Sequence, residues 1–331
     1  MKAQIIQEFG DSSVFQLTEV EKPKAISGHV VIKVAATSVN PIDTKVRSGA
    51  VPAASPKLPA VIHGDVAGIV EEVGEGVTAF KMGDEVFGCA GGFKGTSGAL
   101  AEYMLADERM LAHKPKNSTM EEAAAIPLVA ITAWEALFEK GNLAAGQDIL
   151  IHGATGGVGH MAIQLAKSAG AKVYTTASSH KKMELANELG ADAVINYKEQ
   201  SVQEYVEKYT DGKGFSVVFD TVGGKNLDNS FEAAAINGNV LAIAARSTHD
   251  LSPLHSKGLS LHVEFMLLKI LNEDLRADLG AALAQIAQLV EEGKLRPLID
   301  EKVFSFDEVS QAHDYLESGK AIGKIVLKNT W

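Results

Sequence analysis

The sequence predicts a two-domain α/β protein in which a doubly wound parallel sheet is joined to a β-rich domain. Three observations predict it. At 331 residues the chain exceeds the size at which a single hydrophobic core usually stops growing. Short apolar runs broken by glycine fill residues 28 to 113, and from about Thr119 the texture changes to amphipathic and alanine-rich segments. In that second region short apolar strands alternate with helix-like intervals, the pattern of a parallel sheet with helical crossovers.

The elements follow in order. Val30 to Val34, Ala67 to Val73 and Glu85 to Gly88 read as strands, with Lys81 to Asp84 as the turn between the last two. The parallel strands are Asp148 to Ile151, Ala171 to Thr175, Ala193 to Ile195, Ser216 to Phe219 and Asn239 to Ile243, with Leu259 to Phe265 as a sixth at the edge. Beyond them the alternation stops. A helix from Asp274 to Glu292, a strand from Leu298 to Phe304, a second helix from Asp307 to Ser318 and a strand from Gly323 to Leu327 are expected to return to the first domain. The domains expected are therefore 1–122 with 271–331, and an inserted nucleotide domain over 123–270.

Composition narrows the function. Hydrophobic residues make up 46% and charged residues 22%, an ordinary folded composition. The net charge of -11 argues against a large nucleic-acid or anionic-membrane footprint. No apolar run of about 18 residues offers a membrane span, and Glu8 and Asp11 interrupt the opening segment before a signal-peptide core forms. A soluble, cytoplasmic protein is expected. With Cys89 the only cysteine, neither an intramolecular disulfide nor a multi-cysteine zinc site can form. His262 and Glu264 match half of a deaminase signature, but no Cys-x-x-Cys accompanies them and the stretch reads as a strand.

The strongest motif runs from Gln147 to His160. An apolar strand feeds Gly153-Ala154-Thr155-Gly156-Gly157-Val158-Gly159, and Met161, Ala162, Leu165 and Ala166 then recur at helical spacing until Gly170. Gly156 and Gly157 let the backbone approach a pyrophosphate. Free N–H groups and the positive end of the helix would face it, and Gly159 would let helix and strand pack closely. NAD-specific sites place an acid about 20 residues further on for the ribose 2'-hydroxyl. Here Tyr174 to Lys182 contains none, so a 2'-phosphate would be tolerated. For Lys181 a solvated helix start is the simpler reading.

Together with Asn40-Pro41-Ile42-Asp43, His63 to Gly68, Gly83 to Val86, Gly98 to Tyr103, Asp220 to Gly224 and Gly323 to Val326, this motif resembles the medium-chain dehydrogenase/reductase superfamily, in its zinc-independent quinone oxidoreductase (zeta-crystallin-like) branch. The resemblance covers nearly the whole chain. It implies a GroES-like catalytic domain, a Rossmann domain, a cleft between them and a homodimer. It also implies NADPH as cofactor and a quinone or α,β-unsaturated carbonyl as substrate, reduced by hydride transfer.

By the same comparison Asn40, Asp43 and Thr132 lie near the nicotinamide end. Ala154, Thr155, Gly156, Gly157 and Val158 form the pyrophosphate loop; Ser178, Lys182 and Tyr197 surround the 2'-phosphate; Val222 and Ala244 line the cofactor channel. Met266 to Leu268 and Ile270 would form an apolar wall of the site, a core or a dimer interface.

Asn40 and Thr132 are the expected donors to an acceptor oxygen, although a turn and a helix cap are competing roles. Asp43 and Arg47 at i and i+4 suit an exposed ion pair equally well. Lys45 stands where several relatives carry tyrosine, either donating to substrate or facing solvent. Zinc-dependent relatives use cysteine and histidine ligands. Here Asn40-Pro41, Gly64-Asp65 and Cys89 stand near those places, a poor zinc site. Without a Lewis acid, acceptors whose own conjugation spreads the incoming charge are favoured. An alternative of a different class is an NADPH-binding redox sensor or non-catalytic binding protein.

Overall fold

The computed structural model describes residues 1–331, which form two units: Met1–Ile131 with Met266–Trp331, and Thr132–Phe265. In the first unit β1 (Lys2–Ile6) pairs antiparallel with β2 (Phe15–Glu19). β3 (His29–Val39) runs into α1 (Pro41–Arg47), followed by β4 (Asp65–Val73), β5 (Glu85–Cys89), β6 (Tyr103–Asp107), β7 (Leu111–His113) and α2 (Met120–Ala124). In the turn before β5 the Asp84 carboxylate accepts from the Lys81 amide, 3.0 Å.

Helix α3 (Pro127–Trp134) leads from the first unit to the second and continues as a π-helical segment, Glu135–Lys140. The second unit then alternates: β8 (Asp148–Ile151), α4 (Gly157–Ser168), β9 (Lys172–Ala177), α5 (His180–Glu188), β10 (Ala193–Asn196), α6 (Val202–Thr210), β11 (Phe215–Asp220), α7 (Asn226–Ala233), β12 (Ala234–Ala242), α8 (Ser252–Lys257) and β13 (Ser260–Val263). Its sheet has the order β10-β9-β8-β11-β12-β13, parallel throughout. This is the doubly wound order 3-2-1-4-5-6, whose strand sequence reverses between β8 and β11. Leu150, Phe215, Val218, Phe231 and Val240 pack its core, because strands covered on both faces must be apolar on both. His262 lies in β13, and Glu264 just beyond it pairs with Lys140 at 3.3 Å, so the deaminase-like triplet is structural.

The chain returns to the first unit through α9 (Leu267–Leu271) and α10 (Arg276–Glu291), then β14 (Phe304–Ser305), α11 (Val309–Glu317) and β15 (Ile325–Lys328). Its main sheet has the order β14-β15-β3-β4-β5-β7. β4 lies along one edge of β3, while β6 and β15 share the other, on His29–Lys33 and Ala36–Val39 respectively. The strand expected from Leu298 to Phe304 is a correction. Only Phe304 and Ser305 form a ladder, with an isolated bridge from Ile299 to Lys324. Asp300 turns the chain between them: its carboxylate accepts from the Lys302 amide at 3.0 Å and the Ile322 amide at 2.7 Å. No helix is long and apolar enough to cross a membrane.

Candidate functional site

In the second unit every predicted cofactor residue follows the carboxyl end of a parallel strand. The loop Ala154 to Val158 follows β8; Ser178 follows β9, with Lys182 in the first turns of α5; Tyr197 follows β10, Val222 follows β11 and Ala244 follows β12. Open parallel sheets bind ligands along this edge, at the point of strand reversal. Pairing supplies the local order. Asn196 is in register with Ala177, and the Tyr197 amide donates to Ala177 O at 3.3 Å, which brings Tyr197 beside the start of Ser178.

The glycines of the loop have separate tasks. A Cβ on Gly159 would stand 2.1 Å from Gly153 O, so that glycine is required by the packing of helix on turn. A Cβ on Gly156 would meet only Gly153 O, at 3.3 Å. That one backbone oxygen and the chain neighbours apart, no protein atom lies within 4 Å of that position, so most of the space beside Gly156 is left to a ligand. Gly157 and Val158, in the first turn of α4, have no intrahelical acceptor for their amides, and neither amide donates to another carbonyl of the loop. Gly153 adopts φ 80°, which a side chain would resist. Asp220 fixes the neighbouring turn by accepting from the Val222 and Gly223 amides, both at 2.8 Å. Val222 is exposed, Lys182 half-buried, and Tyr197 54% exposed, so all three are open to a ligand. His152, at the end of β8, is buried with its Nε2 unpaired, and burial lowers its pKa to about 4.

In the first unit four strand ends build a buried polar cluster. β15 is antiparallel to β3 with Ile325 opposite Val39, which puts Lys324 across from Asn40. β4 begins at Asp65, in register with Cys89 at the end of β5. The Asp65 carboxylate accepts from Ser38 Oγ and Asn40 Nδ2, both at 2.7 Å, and from the Leu128 amide at 2.8 Å. Lys324 Nζ stands 3.5 Å from the same carboxylate and donates to Asn40 Oδ1 and to Val39 O. Asn40, Asp65 and Lys324 are all at most 2% exposed. Burial holds the Lys324 ammonium below its ordinary pKa, and the charges of Asp65 and Asp43 oppose that shift.

Asp43 completes the cluster. Its Oδ2 accepts from the Asn40 amide at 2.8 Å, half of a capping box at the start of α1. The Asn40 side chain itself also reaches Asp65 and Lys324. Oδ1 of Asp43 is buried without a hydrogen-bond partner. Burial, reinforced by Asp65, raises its pKa from 3.8 to about 7.

A second chain of contacts runs beside it. Arg47 binds Glu317 at 3.0 Å and His313 Nδ1 at 3.1 Å, and His313 Nε2 meets His63 Nε2 at 2.8 Å. His63 Nδ1 lies 3.5 Å from Thr37 Oγ1. Since a guanidinium can only donate, His313 accepts at Nδ1 and donates from Nε2 to His63. Burial lowers His63 to a pKa of about 3 and His313 well below its ordinary value.

Asn40 and Asp43 are thus brought together, with partners that the sequence did not indicate. The exposed Asp43–Arg47 ion pair is a correction: both residues are buried, Asp43 caps α1, and Arg47 turns to Glu317 and His313. Lys45 is exposed on α1. Thr132 is buried on α3 and belongs to the second unit. Lys324, His63 and His313 were given no role by the sequence, and Asp65 only a place near a zinc ligand. The available signal was ionisable residues next to apolar strand runs, as in Lys324-Ile325-Val326-Leu327 and Asp65-Val66-Ala67.

Known proteins share this chain's sequence and fold. Residues 26–116 match the alcohol dehydrogenase GroES-like domain and residues 189–327 match the zinc-binding dehydrogenase family. The chain is 33% identical to the quinone oxidoreductase of Rattus norvegicus over 99% of its own length and 97% of the relative's. It is 34% identical to the chloroplastic NADPH-dependent alkenal/one oxidoreductase of Arabidopsis thaliana, over 99% of this chain and 79% of that one. Among solved structures, Escherichia coli quinone oxidoreductase complexed with NADPH superposes with a TM-score of 0.88 at 27% identity, covering 99% of this chain and 100% of that one.

The zinc named in one family description can be tested against the side chains present. No group of three or more His, Cys, Asp or Glu side chains is placed to hold a metal ion. Both ends of the Asn40 amide are engaged, Asp65 already faces an ammonium, and burial raises the Cys89 thiol well above its ordinary pKa. A metal ligand set needs deprotonated donors with free lone pairs. These residues do not fit one.

Proposed function

Since this chain belongs to the quinone oxidoreductase branch of the medium-chain dehydrogenase/reductase superfamily, we propose that it reduces quinones or α,β-unsaturated carbonyls with NADPH and without zinc. One observation carries the reading: the side-chain-free approach at Gly156, crowded only by Gly153 O, at the strand-reversal edge, with no acid at the end of β9 to select a free ribose diol. When bound, NADPH supplies a hydride.

The chain's own residues then bind and orient. The amides of Thr155, Gly157 and Val158, which donate to no other backbone carbonyl, are the ones offered to the pyrophosphate. Ser178, Lys182 and Tyr197 offer hydroxyl and ammonium donors to the 2'-phosphate. Val222 and Ala244 flank the cofactor path. With both ends of its amide engaged, Asn40 contributes a fixed orientation, and Asp43 is the group beside it able to exchange a proton near neutrality. Thr132 is the proposed hydroxyl donor, and solvent the ultimate source of the proton. A conjugated acceptor needs no Lewis acid, which accords with the poor metal fit.

The edge strand β13 leaves a row of unpaired backbone groups, the ordinary basis of sheet extension between two copies, so a homodimer in the cytoplasm is the proposed state. The test is steady-state NADPH oxidation with quinones, enones and simple aldehydes, before and after exhaustive chelation. Turnover of quinones or enones that survives chelation is expected. No turnover despite cofactor binding would leave a sensor, and loss of activity with removal of one zinc equivalent would overturn the metal-free part.

A further inference from the structure

Outside both clusters, the loop between β12 and α8 brings three residues into line. Ser247 Oγ lies 2.5 Å from His249 Nε2, and His249 Nδ1 lies 2.8 Å from Asp228 Oδ1 on α7. An ionised carboxylate only accepts, so Nδ1 carries the proton and the lone pair of Nε2 faces the serine hydroxyl. The imidazole is fixed: its side chain is 8% exposed and its ring stands edge-on to buried Phe231, at 6.1 Å between centroids. Ser247 itself is exposed.

We propose that Ser247, His249 and Asp228 form a nucleophile, base and orienting acid that hydrolyse small acyl esters with good leaving groups, an activity separate from the reduction proposed above. Such triads are recognised by geometry and roles and recur in any chain order. A serine merely held by a neighbouring imidazole would not need the third group on the far nitrogen. No backbone amide from Ala244 to Leu251 donates to another backbone carbonyl, so amides next to Ser247 are available to a developing oxyanion. Because Ser247 is exposed and no enclosing pocket surrounds it, the substrates favoured are esters of small acyl groups with good leaving groups.

In the acylation step Ser247 Oγ bonds to the acyl carbon while its proton passes to His249 Nε2. The carbon–oxygen bond to the leaving group breaks, and the imidazolium returns the proton to the departing oxygen. Water then attacks the acyl-serine with its proton taken by His249, the bond to Oγ breaks, and Ser247 regains a proton. Ester and water become acid and alcohol, with no change of oxidation state.

The experiment uses the full-length protein with p-nitrophenyl acetate and a fluorophosphonate probe, locating the adduct by peptide mass spectrometry. One equivalent on Ser247 is expected, absent in Ser247→Ala. General-base assistance accounts for about 100-fold or more, so His249→Gln is expected to slow labelling about 100-fold. Asp228→Asn, more exposed, is expected to slow it at least about tenfold. Thermal melts of the same variants exclude unfolding, and NADPH oxidation in the same samples reports on the reductase separately. Labelling elsewhere than Ser247, or His249→Gln labelling at the wild-type rate, would overturn the proposal.

Discussion

Replacing Lys324 by methionine tests whether the buried cluster is held by its internal ammonium. Methionine has nearly the same length and no charge, so packing is conserved while Asp65 loses its counter-ion. Removing one member of a buried ion pair typically costs about 3–5 kcal/mol. Asp65 would keep Ser38, Asn40 and Leu128 as donors, which places the expected loss near the lower end, about 3 kcal/mol. In a unit of this size each kcal/mol moves the midpoint by about 2–4 °C. A fall of roughly 6–12 °C in the transition of the first unit is therefore expected by calorimetry, which resolves separate transitions where two-state behaviour fails. The double variant Asp65→Asn with Lys324→Met removes both charges and should recover much of the loss, a coupling of at least about 1 kcal/mol. A midpoint within about 1 °C of wild type for Lys324→Met, or strictly additive losses in the double variant, would refute the reasoning.

Asp43 has a folded pKa raised from 3.8 to about 7. Its contribution to stability is present below about 3.8 and is lost as pH rises through about 7, a loss of order 4 kcal/mol at about 1.4 kcal/mol per unit. Asp43→Asn should flatten that limb in denaturant titrations between pH 4 and pH 8. His63, lowered from 6.5 to about 3, works in the opposite sense, and its stability is lost as pH falls from 6.5 toward 3. Gly156→Val should abolish NADPH binding with little change in melting, whereas Gly159→Ala should lower melting sharply, because only Gly159 faces backbone at 2.1 Å. Cofactor titration beside a thermal melt separates the two. NADPH should be preferred over NADH at least about tenfold, and Lys182→Ala should erode that ratio through NADPH affinity. A hydrogen bond to a charged group is worth about 1.5–3 kcal/mol, with solvent exposure favouring the lower figure.

The parallel sheet was legible because its signals are local. Each strand is a short apolar run, each crossover a helical period, and Gly153 to Gly159 punctuate the turn where both meet. The strand expected at Leu298 was misread because apolar residues suggested a ladder and the Asp300 side chain, which captures the Lys302 and Ile322 amides, left no periodic trace. The cluster around Asn40 was only half legible. Asn40-Pro41-x-Asp43 announces a helix start, but Lys324 reaches Asn40 only through the register of β15 on β3. Long-range pairing of this kind has no sequence period. The same applies to Arg47, whose near neighbour Asp43 suggested a partner while its actual ones lie on α11.

The separation of Lys324 from its partner bears on how the protein matures. The two residues stand 284 positions apart in sequence, and the whole of the second unit is synthesised between them. Domains tend to fold as units while the chain emerges from the ribosome. The contiguous unit from Thr132 to Phe265 can therefore reach its native state while Asp65 and Asn40 still await their cation. Until β15 is made, that end of the first sheet carries a carboxylate with no ammonium and an open strand edge along β3. The nascent protein accordingly acquires its parallel-sheet unit first and its buried cluster last, so chaperone dependence and proteolytic sensitivity during synthesis should concentrate in the earlier-made residues.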